Sequence, residues 1–99
     1  RERSGVPPAG LDLLAFPNPF RESVTLSLKV PDKGKTTVAI YNIRGQKVRT
    51  LASGDLPAGK HQLAWDGRDG HGRAVASGVY LLRAEQGGAS VARKLVLMH

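Results

Sequence analysis

Ser23-Val24-Thr25-Leu26-Ser27-Leu28-Lys29-Val30 is the stretch that decides the fold. Val24, Leu26, Leu28 and Val30 occupy alternate positions, with Ser23, Thr25, Ser27 and Lys29 between them. A period of two belongs to a pleated strand, with one set of side chains buried and the other wet. Pro31-Asp32-Lys33-Gly34 reads as a turn. Alternation resumes over 35–42, where Val38 and Ile40 are opposed by Thr37, Ala39 and Tyr41.

The same reading extends in both directions. Asn42-Ile43-Arg44-Gly45 is a tight reversal in which Gly45 is free to take positive φ. Residues 46–51 return as a short strand, and 53–59 form a longer connection. Residues 60–65 place Leu63 and Trp65 on one face, and 66–73 are a polar loop rich in glycine. Residues 78–85 and 90–98 make a last pair of strands around Gly87-Gly88, and 11–16 supply a first strand. Seven short strands at regular turn spacing indicate an all-β sandwich or barrel. Twelve glycines and six prolines leave no window of helical periodicity. Trp65, Phe16, Phe20, Tyr41 and Tyr80 are the large core fillers, with Trp65 expected at the centre.

Composition narrows the class of function. The chain has 99 residues and no cysteine, which fits one domain with a single modest core and excludes a disulfide framework, a thiolate zinc site and a cysteine nucleophile. Its 40% apolar and 23% charged residues are those of a globular protein. No apolar run approaches the roughly 20 residues of a membrane helix. Residues 1–10, with Gly5, Pro7, Pro8 and Gly10, read as an interdomain linker ahead of a domain at 11–99. The start at Arg1 marks an expected piece of a longer protein, with any export signal upstream.

Catalytic and cofactor motifs fail on their context. Gly54-Asp55-Leu56-Pro57-Ala58-Gly59-Lys60 matches a phosphate-binding loop, but His61 stands in place of Ser or Thr, and a strand follows instead of a helix. Gly70-His71-Gly72 begins a dinucleotide fingerprint, but Val75 occupies the position of the third glycine. Asp66 and Asp69 are the only candidate metal ligands. Calcium requires six to eight oxygens, so turn-forming roles suit these two aspartates better. His61, His71 and His99 lack metal-ligand spacing and read as solvated loop residues. No acid–base–nucleophile constellation is visible, so neither catalysis nor a cofactor is expected.

The net charge is +7. Arg44, Lys47, Arg49, Arg83, Arg93 and Lys94 are candidates for a basic face that would attract an acidic surface glycan. Nucleic-acid binders interleave exposed aromatics with such residues, and two Phe, two Tyr and one Trp are too few, so no specific nucleic-acid partner is expected. Basic residues on outer strand positions also discourage edge-to-edge aggregation.

Six segments in order resemble a known family: Phe16-Pro17-Asn18-Pro19-Phe20, Val38-Ala39-Ile40-Tyr41-Asn42-Ile43-Arg44-Gly45-Gln46-Lys47-Val48, Leu56-Pro57-Ala58-Gly59-Lys60-His61, Trp65-Asp66-Gly67-Arg68-Asp69, Ala76-Ser77-Gly78-Val79-Tyr80 and Arg93-Lys94-Leu95-Val96-Leu97. Together they resemble the immunoglobulin-like modules related to the flagellar hook-capping protein, many of which are type A sorting domains of bacterial type IX secretion. The resemblance covers about residues 14–98. It implies an immunoglobulin-like, fibronectin III-like antiparallel β-sandwich without a disulfide. It also implies a non-catalytic module of a larger secreted bacterial protein, located outside the cell or on its surface. The implied partners are upstream domains of the same polypeptide and the outer-membrane secretion machinery. Alternatives are a structural spacer or assembly domain, or a carbohydrate- or surface-binding accessory module. The residues carried across are Pro17, Asn18 and Pro19, Gly78 and Tyr80, and Lys94, Leu95, Val96 and Leu97. A terminal strand of this kind invites recognition by strand addition.

Overall fold

Alternation in the quoted stretch becomes burial. Val24, Leu26, Leu28 and Val30 are all buried, while the residues between them are exposed or half-buried. The structure is a computed structural model that describes residues 10–98. The linker reading of 1–10 therefore lies, apart from Gly10, outside the described residues, as does His99.

Seven strands form: β1 (Asp12–Phe16), β2 (Val24–Val30), β3 (Gly34–Tyr41), β4 (Lys47–Leu56), β5 (Gly59–Trp65), β6 (Gly78–Gln86) and β7 (Ala89–Leu97). They make a three-stranded sheet, β1-β2-β5, and a four-stranded sheet, β4-β3-β6-β7, with every pairing antiparallel. Placing β4 beside β3, and β5 beside β2, gives the three-plus-four arrangement of a fibronectin III-like sandwich. The inner faces meet in one core of Leu13, Phe20, Val24, Leu26, Leu28, Val30, Val38, Ile40, Trp65, Tyr80, Leu82, Ala84, Leu95 and Leu97.

Trp65, the last residue of β5, is fully buried among aromatic neighbours. Its ring lies 5.6 Å from that of Phe20 and 5.3 Å from that of Tyr80, tilted toward one and edge-on to the other. Such geometry sets positive ring edges against negative faces. The indole N–H donates to the Arg68 carbonyl at 2.8 Å, so the buried donor is satisfied. Tyr80 donates its hydroxyl to the Ala76 carbonyl at 2.6 Å, a tie to backbone four residues upstream. Burial pushes its phenol above the ordinary range.

Three expectations change. The fourth strand runs to Leu56 instead of stopping near Leu51, and residues 53–55 pair with Thr37, Thr36 and Lys35. Register shifts at Val38/Ala39 and Ile40/Tyr41 break its alternation, and Gly54 at φ 125° puts a turn-type residue inside a strand. Phe16 is 49% exposed, because β1 turns Leu13 inward and sends Asp12, Leu14 and Phe16 outward. Tyr41 is half-buried on the outer face of the larger sheet.

Replacing a core leucine and an outward one separates these roles. Leu28→Ala is expected to cost about 2–5 kcal/mol in urea unfolding, and Leu14→Ala to stay within about 0.5 kcal/mol. Equal losses would contradict the assigned faces.

Candidate functional site

The residues singled out in the sequence converge at one edge of the larger sheet. β7 is an edge strand, with a row of backbone groups facing away from β6. Pro17-Asn18-Pro19-Phe20 lies along it. Asn18 donates its amide Nδ2 to the Lys94 carbonyl at 2.8 Å, and its Oδ1 accepts the Val96 N–H at 2.9 Å. One side-chain amide thus supplies the donor and the acceptor that a neighbouring strand would have supplied. The backbone then takes over: Phe20 N–H donates to the Val96 carbonyl at 2.9 Å, and Met98 N–H donates to the Phe20 carbonyl at 2.8 Å. Neither proline has an N–H to leave unpaired. Both X-Pro bonds here, Phe16-Pro17 and Asn18-Pro19, are cis.

This strap pulls together Asn18 and the 94–97 segment, which lie more than seventy residues apart in sequence. It also alters the strand-addition reading. From Lys94 to Met98 the outward edge is already occupied, so an incoming strand would have to displace Asn18 and Phe20. Gly78 and Tyr80 sit opposite Leu97 and Leu95 in the β6–β7 ladder. Tyr80, Leu95 and Leu97 are buried, which assigns them to the core. Lys94 and Val96 point to the outer face of the sheet, and Lys94 is exposed. Deleting 93–99 would therefore remove core side chains along with any recognition element.

The aspartate loop organises itself. Asp66 accepts the Arg68 N–H at 3.1 Å and the Arg49 guanidinium at 3.1 Å. Asp69 accepts the N–H groups of His71 at 2.8 Å and Arg73 at 3.0 Å. These bonds, from Arg73 first and His71 second, hold the Asp69 carboxyl below its ordinary value. Gly72, at φ 82°, takes the left-handed position that lets the loop turn back. Among the described residues, no group of three His, Asp or Glu side chains gathers to hold a metal. His61 lies on β5, not in a loop, and its Nε2 is 2.8 Å from the Pro57 carbonyl. The phosphate-loop match spans the end of β4, the turn and the start of β5.

The six basic residues do not share one face. Arg49 pairs with Asp66, Arg83 with Glu85 at 2.7 Å, and Arg93 with Asp12 of β1 at 3.4 Å. These are surface pairs of small worth, and they leave Arg44, Lys47 and Lys94 without an ion pair among the described residues.

Comparison with known proteins adds to this geometry. The family model of the FlgD Ig-like domain matches residues 20–90. The chain is 39% identical over 59 residues to the basal-body rod modification protein FlgD of Salmonella typhimurium; the match covers 58% of this chain and 25% of that protein. The chain thus spans about a quarter of the length of that relative. Its structure is similar to dimeric latent PorU from Porphyromonas gingivalis, with a TM-score of 0.71 and 26% identity, over 98% of this chain and 10% of that one. It shares its fold with PorZ, described as an essential bacterial surface component of the type-IX secretion system of the same organism. There the TM-score is 0.61 and the identity 24%, over 97% of this chain and 13% of that one. In both cases it matches one domain of a much larger protein.

Two outcomes follow from the site. Asn18→Ala removes two hydrogen bonds at a solvent-facing edge and is expected to cost about 1–2 kcal/mol in urea unfolding; an unchanged midpoint would contradict the strap. Asp69 carries a lowered native pKa, so its stabilisation is complete above the unfolded value of about 3.9 and is lost as pH falls through the lower native one. NMR titration of the His71 and Arg73 amides should show a midpoint below the ordinary aspartate range and no such transition in Asp69→Asn. A midpoint at the ordinary value would contradict the loop geometry.

Proposed function

This chain belongs to the FlgD Ig-like domain family, and from that premise we propose that it is a non-catalytic module of a larger exported protein that directs or attaches it to the bacterial surface by the type IX route. The observation that carries the reading is the fit of nearly the whole chain to one domain of PorU. The fold match to a surface component of the type IX system adds to it. The absence of catalysis is part of the proposal. It is supported by carboxylates that bond their own loop and by a histidine that bonds a turn carbonyl. Residues 1–10 serve as the linker to upstream domains, and 11–99 as the module.

Recognition then works through exposed side chains, because the strap already fills the 94–98 edge of β7. A second reading, a spacer or assembly domain, is favoured by one specific observation. Sequence identity to the Salmonella flagellar protein is higher than to PorU, though over a shorter span.

A fusion experiment separates the two. Residues 1–99 are attached to a periplasmic reporter in a host with type IX secretion. Surface display that depends on the host's secretion machinery is expected. Retention in the periplasm by a folded fusion would overturn sorting in favour of the spacer, and capture by an acidic glycan without export would point to a surface-binding accessory module.

A further inference from the structure

The outer face of the four-stranded sheet carries a pattern that the sorting reading does not use. One rung crosses all four strands as Lys47–Tyr41–Leu81–Lys94, with Tyr41 opposite both Lys47 and Leu81, and Leu81 opposite Lys94. Two apolar side chains thus lie between two lysines at the sheet's edges. The next rung toward the start of β6 pairs Val79 with Val96. Leu81 is 43% exposed and Val79 41%. Beside them Ile43 is 79% exposed at the tip of the β3–β4 turn and shares a groove with Val79 and Gly78. The turn that carries Ile43 is held by hydrogen bonds. Asn42 Oδ1 accepts the N–H groups of Arg44 at 2.9 Å and Gln46 at 3.0 Å, and Asn42 N–H donates to the Gln46 carbonyl. An apolar anchor on a pre-ordered turn loses little freedom when it is covered.

Charge identifies the occupant. Lys47, Lys94 and Arg44 have no ion-pair partner among the described residues. The acidic groups of this face, Glu85 and Asp55, lie toward its other end, opposite Thr37 and Lys35. A second copy would bring like-charged rims together on a chain of net charge +7. The first described residues lie at the other end of the sandwich: Leu11 is beside Pro31, Gly34 and Gln86, away from Ile43. Lysines at the two edges of a four-stranded sheet stand about 14 Å apart, from strand spacings of about 4.8 Å. An α-helix with its side chains is about 10–12 Å across.

We propose that this face docks an amphipathic helix of a partner protein, its apolar stripe over Tyr41, Leu81, Val79 and Ile43 and acidic residues on its flanks meeting Lys47 and Lys94. This is the helix-on-apolar-surface mode of recognition, and it concerns a face separate from the strap. It holds equally for a sorting module and a spacer, so its failure leaves the proposed function intact.

The test uses the full chain and a fluorescent synthetic 18-residue peptide with leucines at i, i+3, i+4 and i+7 flanked by glutamates. Controls are a scrambled peptide and a lysine-flanked version. The glutamate-flanked peptide should bind and weaken as salt is raised. Leu81→Glu and Ile43→Glu should each weaken it about tenfold or more. The double variant Lys47→Glu/Lys94→Glu should lose this peptide and gain the lysine-flanked one; unchanged thermal melting shows that it is folded, whatever becomes of Leu81→Glu. Equal binding of the scrambled peptide, or charge reversal without exchange of preference, would overturn the proposal. So would binding to equimolar phosphatidylglycerol–phosphatidylcholine vesicles, lost in the same variants, with no peptide bound.

Discussion

The structure depends on the packing of Trp65 between Phe20 and Tyr80. Trp65 ends β5 of the smaller sheet, and Tyr80 stands in β6 of the larger one, so their contact joins the two layers. Phe20 belongs to neither sheet's named strands, yet its backbone closes the edge of β7. The indole N–H reaches outward to the Arg68 carbonyl and so anchors the aspartate loop. One buried aromatic cluster therefore fixes the sandwich, the strap and the loop together. In a chain without cysteine, it joins the layers where no disulfide can.

The same loop shows where the aspartates singled out in the sequence direct their oxygens. Asp69 meets the N–H groups of its own loop, and Asp66 those of the loop and the neighbouring Arg49. A carboxylate held this way shapes a turn. The prolines flanking Asn18 likewise present its amide to a strand edge, with no N–H of their own to satisfy. On the exterior of the larger sheet, exposed apolar side chains lie between Lys47 and Lys94, which have no ion-pair partner among the described residues. The family relation and the chain-long fit to part of a larger protein agree with the observed Ig-like sandwich.

Much of this was legible in the sequence because alternation is a local signal. Val24 to Val30 in steps of two, and Val38 with Ile40, went inward as their spacing requires, whereas Leu95 and Leu97, carried across by resemblance as recognition residues, belong to the core. The second half of β4 was hidden because Ser53, Gly54 and Asp55 are turn-type residues, and because two register shifts disrupt the period. Residue type alone does not place Phe16: β1 faces Leu13 inward, so parity sends Phe16 out. The link between Asn18 and β7 has no local signature, since it spans more than seventy residues. An asparagine between two prolines, with no strand of its own to join, was the available hint. The outer rung from Lys47 to Lys94 could not be read either, because it exists only once four strands are in register.

Hydrogen exchange in Trp65→Leu tests most directly whether one aromatic cluster holds the strap and the loop together. If it does, the amides of Val96 and Met98 at the β7 edge and those of Asp69 and Gly72 in the loop lose protection together, while β3 amides such as Val38 remain the slowest to exchange. Loss of protection in the loop alone, with Val96 and Met98 unchanged, would contradict it.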